Sequence, residues 1–240
     1  MSIVVHRRRR AARSCLLGFG IAIAATPGAI ASHSHDGFNQ LHISTIHDNS
    51  VLAGGPGPLD EQYCVQSYTS GLSSAALAGY IEDVLTRRPG QQWDGAAGYR
   101  VDLWRTPKLC EQYTPDERAK IGIEYQVADA WPNVPLCGNT QYSCTVLSKP
   151  TLDGSGQHQH YDWAVVHFQK RHVAGLDSRA RNFINHETGH VLGLADPRFA
   201  GDCEESVMHN GLYGCTQYAY VVYPTARDLA SVTRIADCAN

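Results

Sequence analysis

His186-Glu187-Thr188-Gly189-His190 is the stretch of this chain whose residue types and spacing best suit chemistry. Two histidines four apart on a helix project from one face, a single turn from each other. Both imidazoles can therefore reach one metal ion. Glu187 follows the first histidine and falls beside that ion, where a carboxylate can take a proton from water. A hydrolytic zinc wants three protein ligands and one open position. Asp196 is the nearest further oxygen, and Gly193 can bring it round by ending the helix in a left-handed conformation. The expected site is His186, His190 and Asp196 as metal ligands with Glu187 as general base. A bare H-E-x-x-H arises by chance in roughly one chain in fifty at this histidine and glutamate content. The fixed offsets of Gly193 and Asp196 lower that by on the order of a hundredfold, which argues against a merely amphipathic helix with solvated histidines.

These residues need a helix and something rigid to hold it. Asp177 is placed to cap the site helix, and Ala180, Phe183, Ile184, Val191 and Leu194 form its apolar side. Trp163 to Phe168 reads as a strand apolar on both faces, so it belongs inside or beside that helix. Ser73 to Leu85 carries Ala76, Leu77, Tyr80, Ile81 and Val84 at helical spacing, and Arg88-Pro89-Gly90 stops it. Tyr63 to Tyr68 and Tyr99 to Trp104 alternate as strands, and Ser143 to Leu147 is a short one. Thr114-Pro115-Asp116-Glu117 opens a helix whose apolar side would be Ile121, Ile123, Tyr125, Val127, Ala128 and Trp131, ending at Pro132. Pro224, Thr225 and Asp228 open a last helix that turns Leu229, Val232 and Ile235 inward.

The 240 residues suit one sizeable domain with an extension. Residues 1–31 read as a secretory signal: Arg7 to Arg10 and Arg13, an apolar run from Cys15 to Ala25, and a small-x-small site at Ala29 to Ala31. That run is short for a membrane span. Removing those five arginines leaves 15 basic residues against 23 acidic ones, a net charge of −8, which argues against a nucleic-acid partner. Seven cysteines remain after Cys15, and export permits disulfides. Cys203 with Cys215 and Cys137 with Cys144 would each close a short loop. Cys110 with Cys238 would follow if Cys64 were the odd one, although spacing does not fix connectivity. Ser32 to Asp60, with His33, His35, His42 and His47, reads as a solvated lead-in. Asp153, His158 and His160 lie in a polar stretch that reads as an exposed loop, with a second metal site as the sharper alternative.

The motif also resembles a known family. H-E-x-x-H-x-x-G-x-x-H followed by a methionine turn marks the metzincin metallopeptidases, and Met208 stands twelve residues after Asp196, where that methionine would be. Aspartate in place of the third histidine is similar to the snapalysin family of small secreted metallopeptidases. The likeness covers roughly Trp163 to Ile235: H-E-T-G-H-V-L-G-L-x-D, a cysteine on either side of Met208, and Y-P-x-A before the last helix. Gly98 to Trp131 is similar, more loosely, to that family's opening strand and long first helix.

The resemblance implies an α+β domain, a twisted mixed sheet over the active-site helix plus a C-terminal helix. It implies a zinc endopeptidase acting on proteins or peptides, with Met208 as an apolar floor, and it allows calcium as a further ion. The expected division is a signal at 1–31, an extension or propeptide at 32–97 and the catalytic domain at 98–240, secreted, monomeric and free of the membrane after cleavage. Cys64 would then be available to block the zinc, although a single cysteine is more commonly a disulfide partner. Rival readings take Glu204 or Glu205 as third ligand, a non-catalytic secreted module with structural zinc, or a hydrolase of non-peptide substrates.

Overall fold

The computed structural model describes residues 44–46, 59–87, 91–95, 101–131, 134, 143–148, 151–152, 159–161, 163–194, 206–208 and 221–239. In chain order the elements are β1 (Ser44–Ile46), β2 (Leu59–Ser67), α1 (Ser74–Thr86), β3 (Val101–Arg105), α2 (Pro115–Arg118), β4 (Ile123–Ala128) and β5 (Cys144–Leu147). There follow β6 (Thr151–Leu152), β7 (Gln159–Tyr161), β8 (Ala164–Gln169), α3 (Lys170–Val173), α4 (Ser178–Val191) and α5 (Ala226–Ala239). The main sheet runs β3-β2-β4-β8-β5. Its first four strands are parallel, and β5 lies antiparallel to β8 at the edge. A smaller sheet, β1-β7-β6, lies in stretches expected to be loops.

The sheet interior follows from sequence. β8 is nearly continuous in apolar residues and buried on both faces, as an internal parallel strand must be. In β4, Ile123, Tyr125 and Val127 are fully buried and alternate with Glu124, Gln126 and Ala128. This overturns the long helix expected from Thr114 to Trp131. The Thr114 cap and Glu117 do form a capping box, but the helix they open is the single turn α2. Beyond Gly122 the apolar residues recur every second position, which is a strand period. Arg118 clamps the turn to the strand through two bonds to Glu124, at 2.7 and 2.5 Å.

The expected boundary at residue 98 divides two hydrogen-bonded neighbours, because β2 pairs with β3 along Leu59 to Tyr63 and with β4 along Tyr63 to Ser67. Residues 59–87 and 91–95 thus contribute to one core with the later strands and α4: Tyr63, Leu77, Ile81, Leu85 and Trp93 are fully buried beside Ile123, Phe168 and Ile184. Ser73 caps α1 by accepting from the Ala76 amide at 3.2 Å. Cys64 is bonded to Cys110, with Cα atoms 5.1 Å apart. This corrects the expected Cys110–Cys238 pair and removes Cys64 as a zinc-blocking thiol. Closing a loop across 46 positions restricts the unfolded chain by about 4 kcal/mol in the chain-entropy picture. Cys144 is also disulfide-bonded. Its expected partner Cys137, and Cys203 and Cys215, lie outside the described residues. Among the described residues no helix is long and apolar enough to cross a membrane.

Candidate active site

Helix α4 begins at the expected cap: Asp177 Oδ1 accepts from the Arg179 and Ala180 amides, both at 3.0 Å. It buries Ala180, Ile184 and Val191, but also Asn182, Asn185, His186, Glu187 and Thr188. Buried polar groups need partners, and here the surrounding elements supply them. Asn182 and Asn185 donate their side-chain amides to the Val221 and Val222 carbonyls, each at 2.7 Å. The Thr188 hydroxyl donates to the Ile184 carbonyl at 2.7 Å, so its contact with Tyr125 at 2.9 Å has the phenol as donor. Burial pushes the Tyr125 phenol well above its ordinary range, which keeps that donor protonated. Trp93 donates its indole N–H to the Asn185 carbonyl at 2.9 Å. The helix is thereby fixed in rotation as well as position.

The far end reverses by a full Schellman motif. Gly193 takes φ of 92°, where a side chain would be strained, and the helix ends there as expected. The Leu194 amide bonds the Gly189 carbonyl at 2.9 Å and the Gly193 amide bonds that of His190 at 3.0 Å. The reversal returns the Leu194 carbonyl to His190, whose Nδ1–H donates to it at 2.8 Å. His186 Nδ1–H donates to the Val207 carbonyl at 3.2 Å. A carbonyl only accepts, so these bonds put a proton on each Nδ1 and turn each Nε2 away from the carbonyls. The two Nε2 atoms then face each other at 3.2 Å. Zinc–nitrogen bonds of about 2.0–2.1 Å at a tetrahedral angle would set two ligand nitrogens roughly 3.3–3.4 Å apart. The pair fits one cation between them, each ring oriented by a second hydrogen bond as ligand histidines require.

Beneath the helix lies Met208, fully buried. A Cβ built on Gly189 would overlap its Sδ and come within 3.4 Å of Trp93 Cζ2. Gly189, the residue before the second histidine, thus allows the methionine to press on the backbone between the two histidines. The turn carrying Met208 is held by Asp228. That carboxylate accepts from the Ser206 hydroxyl, the Val207 amide at 3.0 Å and the Thr225 amide at 2.8 Å. It joins the start of α5 to the turn whose Val207 carbonyl orients His186. Burial raises its proton affinity against the opposing pull of these donors.

Glu187 is buried, and its Oε2 lies 2.8 Å from the Thr145 hydroxyl on β5. The same hydroxyl is 3.0 Å from the Glu187 carbonyl. His186, Glu187, His190 and Met208 therefore come together. Asp196 lies outside the described residues, as do Asp153, His158 and the acids Glu204 and Glu205. Among the described residues no group of three His, Cys, Asp or Glu side chains is set to hold a metal. Sequence reasoning missed Trp93, Tyr125, Thr145, Asn182 and Asn185. Only the asparagines carry a local sign, being polar at buried positions of an otherwise apolar helix face. No protein-family model matches the chain, and no curated protein matches it.

Proposed function

We propose that this chain is an exported zinc-dependent endopeptidase of metzincin-like build that hydrolyses protein or peptide substrates. The observation that carries the reading is the histidine pair, with its Nε2 atoms 3.2 Å apart and both Nδ1 atoms committed to carbonyls. Two ring nitrogens at that separation suit a shared cation. Imidazole suits zinc, and His186 and His190 would hold it together with Asp196. Zinc there would supply a Lewis acid that acidifies water and polarises a peptide carbonyl. Glu187 is the base next to that position. Its carboxylate takes the proton of the attacking water as the new C–O bond forms, then passes it to the amine nitrogen, and the peptide C–N bond breaks as that nitrogen takes it. The Cys64–Cys110 bond supports export, since disulfides persist in oxidising compartments.

The test is cleavage of a denatured protein by the purified chain, with and without a zinc chelator, read by mass spectrometry. Cleavage should vanish on chelation and return with zinc. Glu187→Ala should retain the metal and lose about 10²–10⁴-fold in rate. Undiminished activity in that variant would remove the general base. Bound zinc with no cleavage by the native chain would favour a binding module with a structural metal. An Asp196→Ala chain that keeps its zinc would move the third ligand to Glu204 or Glu205.

A further inference from the structure

Within the endopeptidase reading, on which this inference rests, we propose that Thr145 is a positioning residue: its hydroxyl holds the Glu187 carboxylate at the angle that proton transfer needs. Thr145 sits on β5, the antiparallel edge strand of the main sheet, opposite Val166. It shares a face of that strand with Leu147, which packs against the core, so the sheet itself aims this face toward α4. The hydroxyl has one proton and two acceptors within reach, Glu187 Oε2 at 2.8 Å and the Glu187 carbonyl at 3.0 Å. The carboxylate oxygen is the nearer of the two, and a side-chain oxygen can turn to meet the hydroxyl where the helix carbonyl is fixed. The β-branch stiffens χ1, so the hydroxyl is aimed before substrate arrives. A carboxylate tethered at one oxygen has its rotation about the last side-chain bond restricted, which sets the direction of the other oxygen. Nothing local announces this contact, because the partners are 42 residues apart.

Two readouts separate this role from a simple staple between strand and helix. The first is kinetic. Thr145→Val keeps shape and removes the hydroxyl, and kcat should fall about 10–100-fold with KM and bound zinc unchanged. Thr145→Ser should recover most of that loss. In a Glu187→Ala background, Thr145→Val should cost nothing further. Unchanged kcat in Thr145→Val, with only a lower melting temperature, would overturn the proposal. The second readout needs no activity and uses the metal-free protein: the Thr145 hydroxyl proton observed by NMR. If it donates to the carboxylate, its protection from exchange is lost in Glu187→Ala. If protection survives, the carbonyl is the acceptor and the proposal fails. A native chain that cleaves nothing would sink the peptidase reading, while the hydroxyl resonance would still decide the contact.

Discussion

Helices α1 and α4 are neighbours of nearly equal length, 13 and 14 residues, but one buries an almost wholly apolar side and the other a mixed one. The buried side of α1 is Leu77, Ala78, Ile81, Val84 and Leu85, with Ser74 at its start. Two polar ties link the helices: the Tyr80 hydroxyl donates to the Asp177 carbonyl at 2.5 Å in an exposed bond, and Arg181 reaches Asp83 at 3.7 Å. Yet α4 buries two asparagines, a histidine, a glutamate and a threonine along with its hydrocarbons. Burying hydrocarbon is non-directional, so α1 needs only volume and pattern. Burying hydrogen-bonding groups demands a partner at a set distance and angle for each one. The first helix can therefore be varied and still serve. The second is specified atom by atom, and it carries the histidine pair.

The contrast can be broken from either side. On α1, Ile81→Ala removes a fully buried branched side chain and should cost about 2–5 kcal/mol in urea unfolding. Below the transition its kcat should stay within a few-fold of the native value. A large loss of kcat in folded Ile81→Ala would mean that α1 also sets the geometry of α4. On α4, Gly189→Ala asks the reverse question. In an ordinary helix interior alanine is favoured over glycine by about 1 kcal/mol. Here the added methyl runs into Met208, which is fully buried with Trp93 behind the same position. Net destabilisation of about 1–3 kcal/mol should result as the helix is pushed off its floor and, on the proposed metallopeptidase reading, weaker zinc retention with it. A more stable Gly189→Ala protein would show that Met208 yields freely and that the close approach is not a requirement.

Sequence tells most where the pattern is local. The cap at Asp177, the left-handed stop at Gly193, the doubly apolar β8 and the amphipathic α1 all rest on residues within a few positions of each other. β4 imitates a helix because a genuine capping box at Thr114 precedes it, and Ile121, Ile123, Tyr125 and Val127 then pass for an apolar helix face. The place of β2 inside the sheet is not legible, since parallel partners lie far along the chain and leave no periodic mark. The same holds for the site. The two histidines and Glu187 are visible as a word in the sequence. Trp93, Tyr125 and Thr145, which hold that word in place, reach it across 92, 63 and 42 residues.

The smallest effect is also the one that joins the site helix to the sheet. His172, on α3, stacks on Phe183 of α4 with ring centres 4.2 Å apart, and its Nδ1 meets the Ser143 hydroxyl at 3.0 Å. Burial, helped by Arg171 and Arg179, lowers its pKa from 6.5 to about 4. His167, on β8, lies edge-on to Trp131 at 4.5 Å. Burial brings its pKa to about 4 as well, against a weak opposing pull from Glu124. Both rings are neutral in the folded chain, while the unfolded chain takes up protons near pH 6.5. Folding therefore has its full advantage from these groups above that pH and loses it as the pH falls toward about 4. Each ring should cost roughly 1–2 kcal/mol between pH 7 and pH 5. His172→Gln can still bond Ser143 but does not titrate, and His167→Gln is its counterpart on the sheet. Urea midpoints followed from pH 7 to pH 4.5 should fall less steeply in each variant, and least in the pair. If the double variant kept the native slope, acid sensitivity would have to come from groups other than these two buried rings.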